Sequence, residues 1–396
     1  CKKDTSEYYL KNNPYKKFDS YIEFRKTLDE LSEIRNQNLR DSLLNLFWDS
    51  LKSNQQIPFV YDTMALFMYR GNAEEVAFAG DFNNWDKNNK LYKAKKIRHT
   101  NFWVSEHCFQ SDARFDYKIV INKNNCIIDS ANAHIQYNAI EPNSELRMPE
   151  WEFPIYTTEN PEINKGTITD NLIIESKPEH LGYKVQYRVY LPYNYDKLQD
   201  LPTLYVTDGH EYTNKLTGNM VTILDNLIAM DKINPVIVVF IDPRNPENAD
   251  DNRRNKEYST DEKFLNFLIN ELVPQIDKTH KTNPEASFRA IMGNSIGGLL
   301  ATFVGVRKSN VFGLVAAQSP ALNEDLIREF GKAKKLPLRF FMSCGTYFDG
   351  AENTRLMRDV LIYKGYPLDY VEVNEGHSWG AWRAQISQIL IDFYRK

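Results

Sequence analysis

The sequence predicts a helical leader and a small all-β sandwich, followed by an α/β domain with a mostly parallel sheet of about eight strands flanked by helices. Three observations carry this. Apolar residues recur at helical spacing over 16–54, the period drops to two from residue 59, and beyond 167 strand-like and helix-like stretches alternate. A length of 396 residues also suits two cores better than one.

Residues 1–15 read as a polar tether and 16–55 as the leader. The leader has two helices, marked by Phe18, Tyr21, Ile22, Phe24, Leu28, Leu31 and Ile34, then Leu43, Leu44, Leu46, Phe47 and Leu51. Strands are expected near 64–70, 75–80, 102–109 and 114–122, which makes 56–150 an immunoglobulin-like sandwich closing near Pro149. The Pro-punctuated stretch 151–166 is a linker. The α/β domain, 167–396, carries strands near 167–175, 182–191, 202–207, 235–241, 287–292, 312–317, 338–344 and 368–374. Helices are expected at 215–230, 260–278, 296–308, 322–333 and 352–364. The continuous run "VIVVFI" (236–241) is the pattern of a central strand buried on both faces.

Composition excludes several classes. A net charge of −4 leaves no electrostatic case for nucleic acid. No apolar run is long enough to span a bilayer as a helix. Four cysteines are too few for a disulfide scaffold. Whether Cys108 and Cys126 pair stays open, and Cys344 reads as a small buried hydrophobe.

The chemistry centres on "AIMGNSIGGLLATF" (290–303), where Ser295 stands between glycines, after a buried strand and before an apolar helix. That context is what a G-x-S-x-G elbow requires, with Oγ aimed into the open and the Ile296 amide directed at a developing oxyanion. Chain order is an independent test: the base should follow the serine, and of the seven histidines only His377 does, in "VEVNEGHSWGAWR" just past the last strand. The acid belongs in "GTYFDGAENTRL"; Asp349 is the candidate and Glu352 the alternative. The turn "TDGHEY" offers the His210 amide as second oxyanion donor, with Glu211 lining the pocket. Trp379 and Trp382 are expected at the pocket mouth, with aromatic packing beneath the last helix as the alternative, above all for Trp382, and Arg253 and Arg254 as cations near an anionic substrate or as a solvated face.

Three resemblances add to this. "VAFAGDFNNWD" (76–86), with "NFWVSEHCF" and "FDYKIVINKNN", resembles the glycogen-binding type of immunoglobulin-like module. Such modules stack sugars on two aromatics; here Trp85 is present, but the second place reads "NNCIID". The leader resembles that of enterochelin esterases. "LPTLYVTDGHEY", "REFGKAKKLPLRFFMSCGTYFD", "GNSIGGLLA" and "EGHSWGAWR" together resemble the putative-esterase branch of the α/β-hydrolases, which includes enterochelin esterases and the family 1 carbohydrate (feruloyl and acetyl xylan) esterases. The resemblance implies Ser–His–acid acyl transfer without metal or cofactor, on a small-molecule or glycan ester.

It leaves two substrate classes open, a siderophore trilactone first and a plant cell-wall feruloyl or acetyl ester second. A third reading is a non-catalytic glycan- or partner-binding surface lipoprotein. The start "CKKDTSEYYLKNNPYKKF" is similar to the mature end of a bacterial lipoprotein, which implies a membrane tether through lipidated Cys1 and a periplasmic or cell-surface location; an arbitrary boundary would leave the protein secreted or cytoplasmic. Oligomeric state is not readable.

Overall fold

A computed structural model describes residues 16–138 and 141–396, so Cys1 and the polar tether lie outside the described residues. The chain forms two compact units. Unit 1 is the N-terminal part through Glu152 together with Asn374–Ser378; unit 2 is Phe153–Val373 with Trp379–Lys396.

In unit 1 the leader forms two helices, Tyr21–Ser32 and Gln37–Ser53, each begun by a side-chain cap: Ser20 accepts from the Glu23 amide and Asn36 from the Leu39 amide. Their apolar stripes, including Phe24, Leu28, Leu44 and Phe47, share one core with Phe59, Leu66, Met68, Phe102 and Val104. Those last five residues come from the first of two antiparallel sheets, in the order β1 (Phe59–Tyr61), β2 (Met64–Arg70), β5 (Phe102–Cys108), β4 (Lys95–Lys96). The second sheet runs β3 (Val76–Gly80), β6 (Arg114–Ile121), β9 (Pro142–Arg147), β8 (Ile135–Tyr137), with β7 (Asn125–Ile127) also on β6. Cys108, Cys126 and Cys344 are free thiols, so no Cys108–Cys126 bridge forms; Cys344 is buried. Trp85 is held at φ 59° with its indole N–H on Asp81 Oδ1 at 3.1 Å, which ties its ring to its own turn.

Unit 2 is built on nine strands: β10 (Thr167–Ile168), β11 (Leu172–Glu175), β12 (Lys184–Leu191), β13 (Thr203–Val206), β14 (Ile237–Asp242), β17 (Arg289–Asn294), β18 (Leu314–Gln318), β19 (Arg339–Gly345) and β20 (Leu368–Val373). The order is β10-β12-β14-β13-β17-β18-β19-β20, with β11 on β12, and every pair from β14 through β13 to β20 is parallel. Each face of this sheet has its own core. In β14, Ile237, Val239 and Ile241 enter one while Val238 and Phe240 enter the other, which is why the strand reads as an unbroken apolar run.

Three details depart from the sequence expectation. The helix expected over 215–230 is the shorter Met220–Ala229, and an unexpected short helix, Gly209–Thr213, precedes it. The helix over 260–278 is interrupted by a π-turn at Leu268–Leu272. The hairpin β15 (Arg244–Asn245) and β16 (Asn248–Asn252) is polar but for Ala249 and gives no period-two apolar signal.

Candidate active site

Ser295 sits between β17 and the helix Ile296–Arg307 with φ 54° and ψ −122°, a conformation an L-residue adopts only when its surroundings over-determine it. The surroundings do so. Its amide donates to the Gln318 carbonyl at 2.9 Å, and its own carbonyl accepts from Ala321 and Leu299 at 3.0 and 3.1 Å. Both flanking glycines are required by close approach: a Cβ on Gly293 would stand 2.3 Å from Thr207 Oγ1 and 2.4 Å from the Gly297 carbonyl carbon, and a Cβ on Gly297 2.3 Å from the same Thr207 oxygen. The Ile296 amide opens the helix and is among the first-turn N–H groups that have no intrahelical acceptor. His210 stands likewise in the first turn of Gly209–Thr213, behind Asp208 at φ 51°.

Two strands along, the loop after β19 carries Asp349, which is buried. Its Oδ2 accepts from Ser319 Oγ at 2.6 Å and from the Gly345 amide. Glu352, by contrast, is exposed in the first turn of the helix Ala351–Tyr363. Ser319 was not singled out in the sequence. It follows β18, between the elbow strand and the acid strand, and is held at φ 42°; its Oγ also accepts the Trp382 indole N–H at 2.9 Å. Segment 318–321 thus links the elbow backbone to the acid: Gln318 and Ala321 bind Ser295, and Ser319 binds Asp349. The signal that could have found it is a serine just past a parallel strand's carboxyl end, in "AAQSPAL".

His377 is exposed and belongs to the loop Asn374–Ser378. That loop leaves β20 after Val373, the residue paired with Gly345, so in the chain it follows the same strand edge from which the Asp349 loop departs.

The residues expected to line the pocket divide. Glu211 and Arg254 lie in one half-buried polar cluster: Arg254 Nε binds both Asp208 oxygens at 2.8 and 2.9 Å, and its Nη2 lies 3.3 Å from Asn294 Oδ1, beside the elbow serine. Arg253 turns away, stacking on Tyr183 at 4.0 Å and donating to the Lys184 carbonyl. Trp379 and Trp382 are core residues, 3% and 7% exposed, and do not form a mouth. Trp379 packs edge-on against Tyr212 at 5.0 Å and donates its indole N–H to Glu211 Oε2 at 3.0 Å.

Burial, reinforced by the neighbouring Asp208 carboxylate, pushes the Glu211 carboxyl up to about 7. Burial pushes His210 down, although its Nδ1 lies 3.4 Å from Asp242 Oδ1. The sign for stability follows. Below about pH 4.5 Glu211 is protonated folded and unfolded alike; between there and about 7 only the unfolded chain ionises, so stability falls as pH rises, by up to about 3 kcal/mol. Glu211→Gln should therefore be the more stable protein at pH 8 and lose that advantage at pH 5, measured by urea unfolding. Parallel stability curves would contradict this placement.

A cavity of about 240 Å³ borders the His210 turn, lined by Asn171, Arg188, Gly209, Asp242 and Arg244 among others. Of its two arginines, Arg244 is ion-paired to Asp242 through two nitrogens, and Arg188 Nε donates to the Thr169 carbonyl.

Residues 179–336 match the family model described as "Putative esterase". The chain is 26% identical over 279 residues, 68% of its length, to the endo-1,4-beta-xylanase/feruloyl esterase of Xylanibacter ruminicola, of which it spans 37%. It is 23% identical over 240 residues to the uncharacterized protein YjcH of Bacillus subtilis, spanning 57% of this chain and 96% of that one. Among solved structures, the enterobactin esterase of Shigella flexneri determined in the presence of enterobactin superposes with a TM-score of 0.68 at 18% identity, over 83% of this chain and 92% of that one. The ferric enterobactin esterase of Salmonella typhimurium gives 0.68 at 15%. Fold class agrees with the motifs: the α/β part of the chain has the fold of these solved structures, and residues 179–336 within it are similar to the esterase family.

Proposed function

We propose that this chain is a serine carboxylic ester hydrolase in which Ser295 is the nucleophile, His377 the general base and Asp349 the residue that orients it. The observation that carries the reading is the strained backbone of Ser295 on a turn that two glycines and Thr207 leave no room to relax. His377 takes the Ser295 proton as Oγ attacks the ester carbonyl. The Ile296 and His210 amides receive the oxyanion, the protonated alcohol leaves, and water attacks the acyl-enzyme with His377 again as base.

For the substrate we infer an uncharged acyl or hydroxycinnamoyl ester. An iron-loaded siderophore trilactone is strongly anionic and asks for cations near the serine. Two of the nearby arginines are neutralised by carboxylates, Arg254 by Asp208 and Arg244 by Asp242, while Arg253 stacks on Tyr183 and Arg188 donates to the neutral Thr169 carbonyl. Two carboxylates, the buried Asp208 and the half-buried Glu211, stand in the same cluster. The relative named a xylanase/feruloyl esterase supports the same choice. Methyl ferulate should be turned over at least about tenfold faster, by kcat/KM, than ferric enterobactin. The reverse order would restore the siderophore reading.

A further inference from the structure

The loop Asn374–Ser378 belongs to unit 1, although β20 before it and the helix Trp379–Tyr394 after it belong to unit 2. What holds it there is a buried ionic cluster around Arg114, the first residue of β6. The guanidinium is fully buried. Its Nε donates to Glu145 Oε1 at 2.5 Å, its Nη2 binds Asp116, and its Nη1 lies 3.4 Å from Glu375 Oε2 and donates to Ser378 Oγ at 3.1 Å.

The grip extends along the loop. The Arg114 amide donates to the Asn374 carbonyl at 3.1 Å, and Asn374 Nδ2 donates to Asp112 Oδ1 at 2.7 Å. The Trp151 indole donates to Glu375 Oε1 at 3.2 Å. Gly376 lies so close to Asp81 that an added Cβ would stand 2.4 Å from the aspartate's own Cβ. Asp81 is the acid of the "GDFNNW" turn, fixed by the Asp116 amide on one oxygen and the Trp85 indole on the other. Four of the five loop residues are thus seated by residues of the sandwich, and the fifth is His377, which is exposed.

A buried arginine among carboxylates is a poor way to gain stability, because apolar residues of the same volume usually do as well or better. Its planar fork does fix direction, by binding several acceptors at set angles. We propose that Arg114 is a positioning residue for the general base: through Glu375 and Ser378, with Asp81 as the floor under Gly376, it sets the conformation of the loop that presents His377. This rests on the reading of His377 as the base.

The test uses the full chain with Glu375→Gln, Ser378→Ala and Gly376→Ala, each of which disturbs the seat while leaving Arg114 in place. The rate of fluorophosphonate labelling per chain and kcat on a nitrophenyl ester should fall together, by about 10- to 10²-fold, with KM little changed. The end-point should stay at one label per chain. A merely unfolded fraction would lower the end-point and leave the per-site rate intact, which would overturn the proposal. Wild-type per-site rates in Glu375→Gln and Ser378→Ala would overturn it as well, even if Gly376→Ala fails to fold. Either result, alongside an inactive Ser295→Ala, would leave the esterase reading standing. Full turnover by Ser295→Ala would strike that reading and this inference with it.

Discussion

Ser295→Ala is expected to lower kcat on p-nitrophenyl acetate by at least about 10⁴-fold while the chain stays folded. The substitution removes only Oγ, since the backbone around residue 295 is held by Gln318, Ala321 and Leu299 whatever the side chain. A residual rate on the order of 10³-fold over water is compatible with the mechanism, because the amide donors and the binding surface survive the change. Burst kinetics should disappear with the hydroxyl, because no acyl-enzyme can form. Undiminished turnover would place the nucleophile elsewhere.

The second large effect separates the two acid candidates. Asp349→Asn should lower kcat by about 10³- to 10⁴-fold, because an amide in that place cannot hold the imidazole in the tautomer that accepts the serine proton or stabilise the imidazolium. Glu352→Gln should leave kcat within about twofold, as expected of an exposed first-turn residue away from buried partners. Ser319→Ala should fall between, because it removes one of the hydrogen bonds that orient Asp349 but not its charge. A large loss in Glu352→Gln with a small one in Asp349→Asn would reverse the assignment.

Much of the α/β unit was legible because its signals are local. The strand, the G-x-S-x-G turn and the helix that follow one another around Ser295 are a continuous pattern, and the run at Ile237–Asp242 reads as a strand because both its faces are buried. Asp349 was legible as a candidate from spacing alone; its burial and its Ser319 partner were not. Ser319 carries a positive φ and one hydroxyl, and neither leaves a periodic trace. Trp379 was expected at the pocket mouth, yet its ring packs inward against Tyr212. The cluster around Arg114 was out of reach for a different reason. Its partners lie up to 264 residues away in sequence, and nothing in the pattern of "RFDYKIVI" marks Arg114 and Asp116 as the buried residues they are. Sequence period reports which face is apolar; it does not report which charges neutralise one another inside.

The most direct test of the central claim is to label the folded protein with a fluorophosphonate and map the adduct by peptide mass spectrometry. A single adduct is expected, on Ser295, with its rate strongly reduced in His377→Ala. An esterase that turns over its substrate while the label falls on another residue, or on none, would contradict the account.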